Sequence, residues 1–340
     1  MSDHGFEPGT EAWVGQIVEP VLDPERPIVD PHHHLWPPDG FIDYWIDDLA
    51  ADTGSGHNVQ ATVFVECSAG YRPDGPEHMR PVGESAFVAD AAALLAERHA
   101  GAAPIAGIVA HTDLTLGARL ADVLDAHNEA SRGLLRGIRD ALAHAVEPEA
   151  MMIPGSAAPG RAADPEFRRG VAVLGARDLT YDTWHYHYQL PEFAELARAV
   201  PDTTMVLDHF GTPVGVGSFA GRRDELFDQW RDDIADIALC ENVVAKLGGL
   251  AMPDNGFGWH ERSAPPTSDE FVAAQERYYH HTIECFGPDR CMFESNFPVD
   301  KLSLSYPVLW NGLKKIAARY SPTEQDALFA GTARRVYRLE

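Results

Sequence analysis

Positive charge is scarce in this chain. Its 340 residues carry 27 Lys+Arg against 52 Asp+Glu, a formal net charge of −25 at pH 7. That deficit excludes a large basic face for nucleic acid or for an anionic membrane. Cysteine is sparse too: Cys67, Cys240, Cys285 and Cys291 are the only four, and none forms a Cys-x-x-Cys pair. Spread over this length they read as reduced thiols of a cytoplasmic protein, not as a disulfide scaffold. Long apolar runs are missing as well, since no stretch approaches the ~18 residues of a bilayer span. The first thirty residues hold no basic start followed by an apolar run, so no signal peptide is expected. With 45% hydrophobic residues the chain is too apolar for whole-length disorder. Its length suits two average domains or one α/β barrel of roughly 250 residues with insertions.

Short apolar, β-branched runs recur at 28–30, 62–67, 105–111, 134–139, 177–183, 204–209, 243–247 and 291–296. Amphipathic stretches lie between them at 85–99, 116–129, 164–174, 190–199, 224–239 and 268–285, and two more follow at 306–319 and 322–337. Ser321-Pro-Thr-Glu324 reads as the start of the last helix, with Pro322 inside the first turn. Eight alternating strand–helix units imply parallel strands, because each crossover helix returns the chain to the same end. A doubly wound open sheet is the rival. The segments after the strands (37–57, 68–83, 141–163 and 248–266) are long and rich in Pro, Gly and aromatics, and those before the strands are short. Long loops at one end belong to the C-terminal face of a barrel. The expected fold is therefore a single (β/α)8 TIM barrel over 27–340, with residues 1–26 as an arm lying on it.

Polar residues collect at the ends of these strands. In Ile28-Val-Asp-Pro-His-His-His-Leu-Trp36, alternation places Asp30, His32 and His34 on one face. Two imidazoles so placed can bind a single cation, or can simply pack through hydrogen bonds. Glu66, Arg139, Asp182, Asp208, His209 and Lys246 close further strands. A buried charge is costly unless paired. Any one of these residues could be a structural ion pair, but their collection at one barrel mouth points to a site.

DPHHHLW, VLDHFG, VVAKLGGL and MFESNFPVDK, in that order along the chain, resemble motifs of the amidohydrolase-related family of (β/α)8-barrel hydrolases. The lactonase-like branch, with sugar lactonases and the pyrone dicarboxylate lactonase, is the most similar. The resemblance runs from about 28 to 339 and implies a hydrolase acting on a small anionic or polyhydroxylated substrate. By this resemblance the first-strand His-x-His is His32 and His34, the sixth-strand histidine is His209, and the arginine of Gly-Ile-Arg is Arg139. The strand-seven motif departs from the family's KLSGL at Gly248, which stands in place of serine. Strand eight departs more. Relatives carry a Gly-Ser-Asp-Trp-Pro-like run whose aspartate is a metal ligand or general base, and this chain has Glu294-Ser-Asn-Phe-Pro298. Asn296 is neutral and takes no proton from water. Glu294 lies two residues earlier on the same face, about 6–7 Å deeper, and is the candidate replacement for the missing charge. Glu66 and Asp208 are the other possible bases.

The expected catalytic set is thus His32, His34, His209, Glu294 and Asn296. His32, His34 and His209 could hold one divalent metal, Zn or Mn, or act on the carbonyl directly. Arg139, Lys246, Glu66, Asp182, Trp184 and His187 are the expected substrate contacts, with Trp259, His260 and Tyr278 possible pocket covers. Lys301 could meet an anionic substrate. The leading reading is hydrolysis of a small lactone or related ester. Its alternatives are a metal-dependent decarboxylase of the same superfamily and a barrel that has lost catalysis and serves binding. The resemblance also implies a homodimer.

Overall fold

The computed structural model describes residues 7–38 and 40–339. The first six residues of the expected arm, Asp39 of the first long loop and Glu340 lie outside the described residues.

Eight strands appear where the apolar runs place them: β1 (Pro27–His33), β2 (Asn58–Val65), β3 (Ile105–Ala110), β4 (Leu135–Arg139), β5 (Thr180–Thr183), β6 (Met205–Leu207), β7 (Val243–Leu247) and β8 (Cys291–Phe293). They form one sheet in the order β1 to β8, each pair parallel. β8 returns beside β1. The backbone N–H of His34 donates to Phe297 O at 2.8 Å, and that of Asn296 to His32 O at 3.0 Å. Sequential order with the ends meeting is a barrel, which removes the open-sheet rival.

Alternation along the strands gives two apolar layers. Phe64, Ile138, Leu207, Leu247 and Phe293 pack against Val88, Phe167, Phe193, Trp230 and Trp310 of the surrounding helices. The residues between them on the strands, Val63, Val206, Val244 and Met292, cluster instead with Ala333, Val336 and Tyr337 at the end of the chain. This second cluster is the floor of the barrel interior. One further step along β5 to β8 reaches Asp182, Asp208, Lys246 and Glu294, where the interior turns polar.

Two segments differ from expectation. The loop 37–57 contains a helix, Ile46–Thr53, which buries Ile46, Leu49 and Thr53. Asp48 Oδ2 accepts from the N–H of Trp45 at 2.8 Å, so the acidic first turn is the start signal that the Pro-rich flank obscured. The stretch 322–337 is not one α-helix. Ser321 and Glu324 cap its start reciprocally, as the sequence indicates. A wider turn then interrupts it at Ala327–Gly331, before the helix resumes at Thr332–Val336. The extra residue shifts the helix phase, so that Leu328, Phe329 and Ala330 are buried before the resumption, and Ala333, Val336 and Tyr337 after it.

Residues 7–26 run over the last helices. Trp13 is fully buried and its Nε1 donates to Arg262 O, while Lys314 Nζ donates to the carbonyls of Leu22 and Asp23. The four cysteines are unpaired, and among the described residues no helix is long and apolar enough to cross a membrane.

Candidate active site

The strand ends converge on one buried cluster. Glu294 sits at its centre: its Oε1 is 2.6 Å from His209 Nδ1 and its Oε2 2.9 Å from His32 Nδ1. His32 and His34 face each other through their Nε2 atoms at 3.3 Å. His34 Nδ1 lies 2.8 Å from Val65 O. A carbonyl only accepts, so that nitrogen carries the proton and His34 Nε2 presents a lone pair. By the same logic His209 donates Nδ1–H to Glu294 and keeps Nε2 free.

Asp30 does not join the imidazole pair. Its carboxylate accepts from Ser295 N at 2.9 Å and from the Tyr306 hydroxyl at 3.0 Å. The β1–β2 register shifts between Asp30 and His33, which breaks the regular alternation the sequence reading assumed.

The cations are held by carboxylates. Lys246 Nζ lies 2.9 Å from Asp182 Oδ2 and 3.1 Å from Asp208 Oδ1, all three residues being fully buried. The Tyr337 hydroxyl closes on Asp182 from below. Arg139 donates Nε to Glu66 Oε1 at 2.7 Å, Nη2 to Glu66 O at 2.6 Å and Nη1 to Asp208 Oδ2 at 3.3 Å. Burial pushes His32 and His34 well below the usual histidine range, aided by Lys246 at the first and Arg139 at the second. Both imidazoles are therefore neutral near pH 7. Burial opposes the charge on Asp208, but Lys246, His209 and Arg139 hold it below the usual aspartate value. At Asp182 burial wins over Lys246 and raises the carboxyl.

Four carboxylates (Glu66, Asp182, Asp208 and Glu294) thus face two cations, Arg139 and Lys246. Asp208 Oδ1 and Glu294 Oε2 accept no hydrogen bond of regular geometry from the described residues, and have ion-pair contacts only. Ligand atoms of His32, Asp208 and His209 also lie within 4.8 Å of one another. Excess negative charge, orphaned oxygens and neutral imidazoles make a donor set that fits one divalent cation.

Two departures from the family motifs lie against each other. A Cβ on Gly248 would lie 2.4 Å from both Glu294 Cγ and Glu294 O, so the serine of the KLSGL pattern has no room beside this glutamate. Gly249, at φ +69°, leaves space for His209, whose Nδ1 would be 2.2 Å from a Cβ there. His209 itself has φ +54° and Asn296 φ +55°. Left-handed non-glycine residues at a site are held by their surroundings. Asn296 is so held, its Nδ2 donating to Asp300 Oδ1 at 2.9 Å, and burial pushes the Asp300 carboxyl up to about 7.

Above the cluster opens a cavity of about 310 Å³, lined by His34, Glu66, Arg139, Trp184, His209 and Asn296 and by an apolar wall of Trp36, Phe41, Ile153, Met252 and Val299. Of the expected substrate contacts, Arg139, Glu66 and Trp184 border it. Lys246 and Asp182 do not: they are locked together beneath the floor, because a lysine facing two carboxylates inside a barrel is taken up by them. His187 is elsewhere, against Phe219 and beside the Val214 N–H, in a separate small depression. Since the Val214 N–H must donate, His187 Nδ1 accepts. Lys301 is engaged by Glu11 and Asp52. Trp259 stacks on Phe257, and Tyr278 meets Trp230 edge to face. His260 lies near Glu261. None of these four lines the cavity. Asp300 and Tyr337 were not foreseen. Tyr337 acts through a contact across the barrel that no local pattern encodes, whereas Asp300 holds Asn296 four residues before it.

The amidohydrolase family model (Amidohydro_2) matches residues 29–339. Among curated proteins, the chain is 32% identical over 333 residues to the uncharacterized protein y4mH of Sinorhizobium fredii, covering 92% of this chain and 98% of that one. It is 30% identical over 320 residues to the L-fucono-1,5-lactonase of Burkholderia multivorans, covering 92% and 96%. Among solved structures it resembles a zinc-bound amidohydrolase from Burkholderia multivorans, with a TM-score of 0.70 at 27% identity over 92% of this chain and 99% of that one. With the barrel, the strand-end cluster and this match over nearly its whole length, the chain belongs to the amidohydrolase family.

Proposed function

We propose that this protein hydrolyses the ester bond of a small lactone, by attack of water on the carbonyl. The observation that carries this reading is the Glu294 carboxylate held against His32 and against His209, which itself lines a cavity of substrate size. The likeness to a lactonase at 30% identity supports the substrate class.

In this reading Glu294 fixes the His209 tautomer, so that Nε2 takes the proton from the attacking water, as a carboxylate-oriented imidazole does. The proton then passes to the ring oxygen as the C–O bond breaks, leaving a hydroxy acid. Glu294 supplies the charge that Asn296 lacks. Arg139 keeps N–H groups beyond those used by Glu66 and Asp208, and turns them to the substrate's carboxylate or to the developing oxyanion. Asn296, fixed by Asp300, orients a substrate hydroxyl. A divalent zinc or manganese ion would be held by His32, His209 and Asp208, with His34 beside them, and His209 Nε2 would then serve as its ligand in place of acting as the base. When bound, the ion supplies Lewis acidity toward the carbonyl and a lowered pKa for water.

Titrated acid release from a panel of 1,5- and 1,4-sugar lactones, with CO2 release from hydroxybenzoates measured alongside, tests the proposal. Acid release without CO2 is expected. CO2 release alone, or neither, contradicts it. Arg139→Met is expected to raise KM about 10- to 100-fold for carboxylated lactones. An equal rise for neutral ones contradicts the assigned contact.

A further inference from the structure

The central cavity shares walls with a further depression, and that one with a third. Its wall residues Glu66, Ser68, Ala141 and Trp184 also border a second cavity of about 370 Å³ that reaches Tyr71 and His111. Tyr71 and His111 in turn border a third depression of about 580 Å³, whose rim carries His78, Arg80 and Arg119. Shared residues link the three into a path from His34 and Arg139 out to Arg80 and Arg119.

The far end carries two arginines. Several other surface arginines are taken up by carboxylates: Arg132 by Asp90, Arg177 by Asp125, Arg277 by Asp224. The exposed side chains of Arg80 and Arg119 have no hydrogen bond or ion pair with any described residue. Glu77 and Asp113 are the acids on the same rim, and Asp113 is engaged by Arg161 at 3.0 Å and by Thr115 at 2.7 Å. A protein of net charge −25 repels anions from most of its surface. Two uncommitted guanidinium groups across one depression reverse that locally, and each offers the planar fork that suits an oxyanion.

We infer that this depression is a subsite for an oxyanion (carboxylate, phosphate or sulfate) carried on the distal part of an elongated substrate whose reacting ring lies in the central cavity. The assignment of the reacting end rests on the lactonase reading; the recognition of the anion does not. An acidic oligosaccharide lactone has the required chemistry: a neutral body for the Tyr71 and Trp184 walls, and a terminal charge for the arginine pair.

The test uses hydrolysis products, so that binding is read without turnover. Calorimetry compares cellobionate with the same acid oxidised to a carboxylate at C6 of its non-reducing sugar. It is run on the wild type and on an Arg80→Gln/Arg119→Gln variant, whose two sites are exposed. The charged ligand is expected to bind the wild type about tenfold more tightly, which is about 1.4 kcal/mol. The variant is expected to lose that advantage while keeping its affinity for cellobionate and its melting temperature. No preference in the wild type, or a preference that survives in the variant, overturns the subsite. Inorganic phosphate, followed by the arginine Nε–Hε NMR signals, separates the two sources of the anion. Saturable phosphate binding with no binding of either disaccharide overturns the elongated-substrate proposal in favour of a free anion. Absence of lactone hydrolysis with the charge preference intact defeats the lactonase reading and leaves the subsite standing.

Discussion

Val206, Val244 and Met292 lie on β6, β7 and β8, and Asp208, Lys246 and Glu294 lie two residues further along the chain, at or just past the strand ends. Alternation turns both sets inward, so they differ by one layer of the barrel. The lower layer packs on Tyr337, Val336 and Ala333 and contributes burial. The upper layer is a paired network of charges touching the imidazoles of His32 and His209. In the proposed reading, one step of about 6–7 Å changes the role of a residue from stability to chemistry. Tyr337 joins the layers, with its ring in the lower one and its hydroxyl on Asp182.

The largest expected effect comes from the upper layer. Glu294→Gln keeps the volume but removes the charge between His32 and His209, and kcat on a lactone substrate is expected to fall about 10²- to 10⁴-fold. The melting temperature should move little by comparison. A variant with wild-type kcat breaks the functional half of the comparison. The lower layer should behave in the opposite way. Met292→Ala leaves a cavity in a fully buried apolar cluster, and a loss of about 2–5 kcal/mol in unfolding free energy is expected. The kcat of the folded fraction should stay near wild type, and a large kcat loss at unchanged stability would mean that the layers are not separable.

Gly248→Ser probes the join between β7 and β8. Its Cβ meets Glu294 Cγ and O at 2.4 Å, so it is expected to destabilise the protein by about 1–3 kcal/mol and to displace the carboxylate. Gly248→Ser/Glu294→Gly removes the contact with Cγ but not the one with the backbone O, so it should recover part of the stability and none of the activity. No recovery of stability, measured by denaturant unfolding, would refute the steric coupling.

The smallest effect is a pH dependence beneath the mouth. Burial raises the Glu84 carboxyl from 4.5 to about 8, while its Oε1 accepts from the N–H groups of Cys67 and Ala69. The folded state therefore binds this proton more tightly than the unfolded chain. The stabilisation is complete below pH 4.5 and is lost as pH rises through about 8. The wild-type melting temperature should fall between pH 5 and 9, by a smaller amount in Glu84→Gln. Identical slopes would remove Glu84 as the cause.

What the sequence made legible follows from period and position. Apolar runs located all eight strands, and the two-residue step placed Glu294 facing inward below Asn296, beside the histidines. Three features were hidden for physical reasons. The register shift in β1 turned Asp30 toward Tyr306, which strict alternation does not anticipate. Lys246 reads as a free cation until the closed barrel brings Asp182 and Asp208 to it from two other strands. The wide turn at 327–331 delivers Tyr337 to the barrel floor, and nothing local in that stretch specifies its long-range partner.

The contact between Glu294 and His209 tests the account most directly, and it can be read without a substrate. In protein labelled with ¹⁵N-histidine, NMR is expected to show His209 protonated at Nδ1, with that proton shifted strongly downfield by the carboxylate and the signal lost in Glu294→Gln. A His209 protonated only at Nε2, or a spectrum unchanged by Glu294→Gln, would contradict the claim that Glu294 holds the catalytic histidine in place of the missing aspartate.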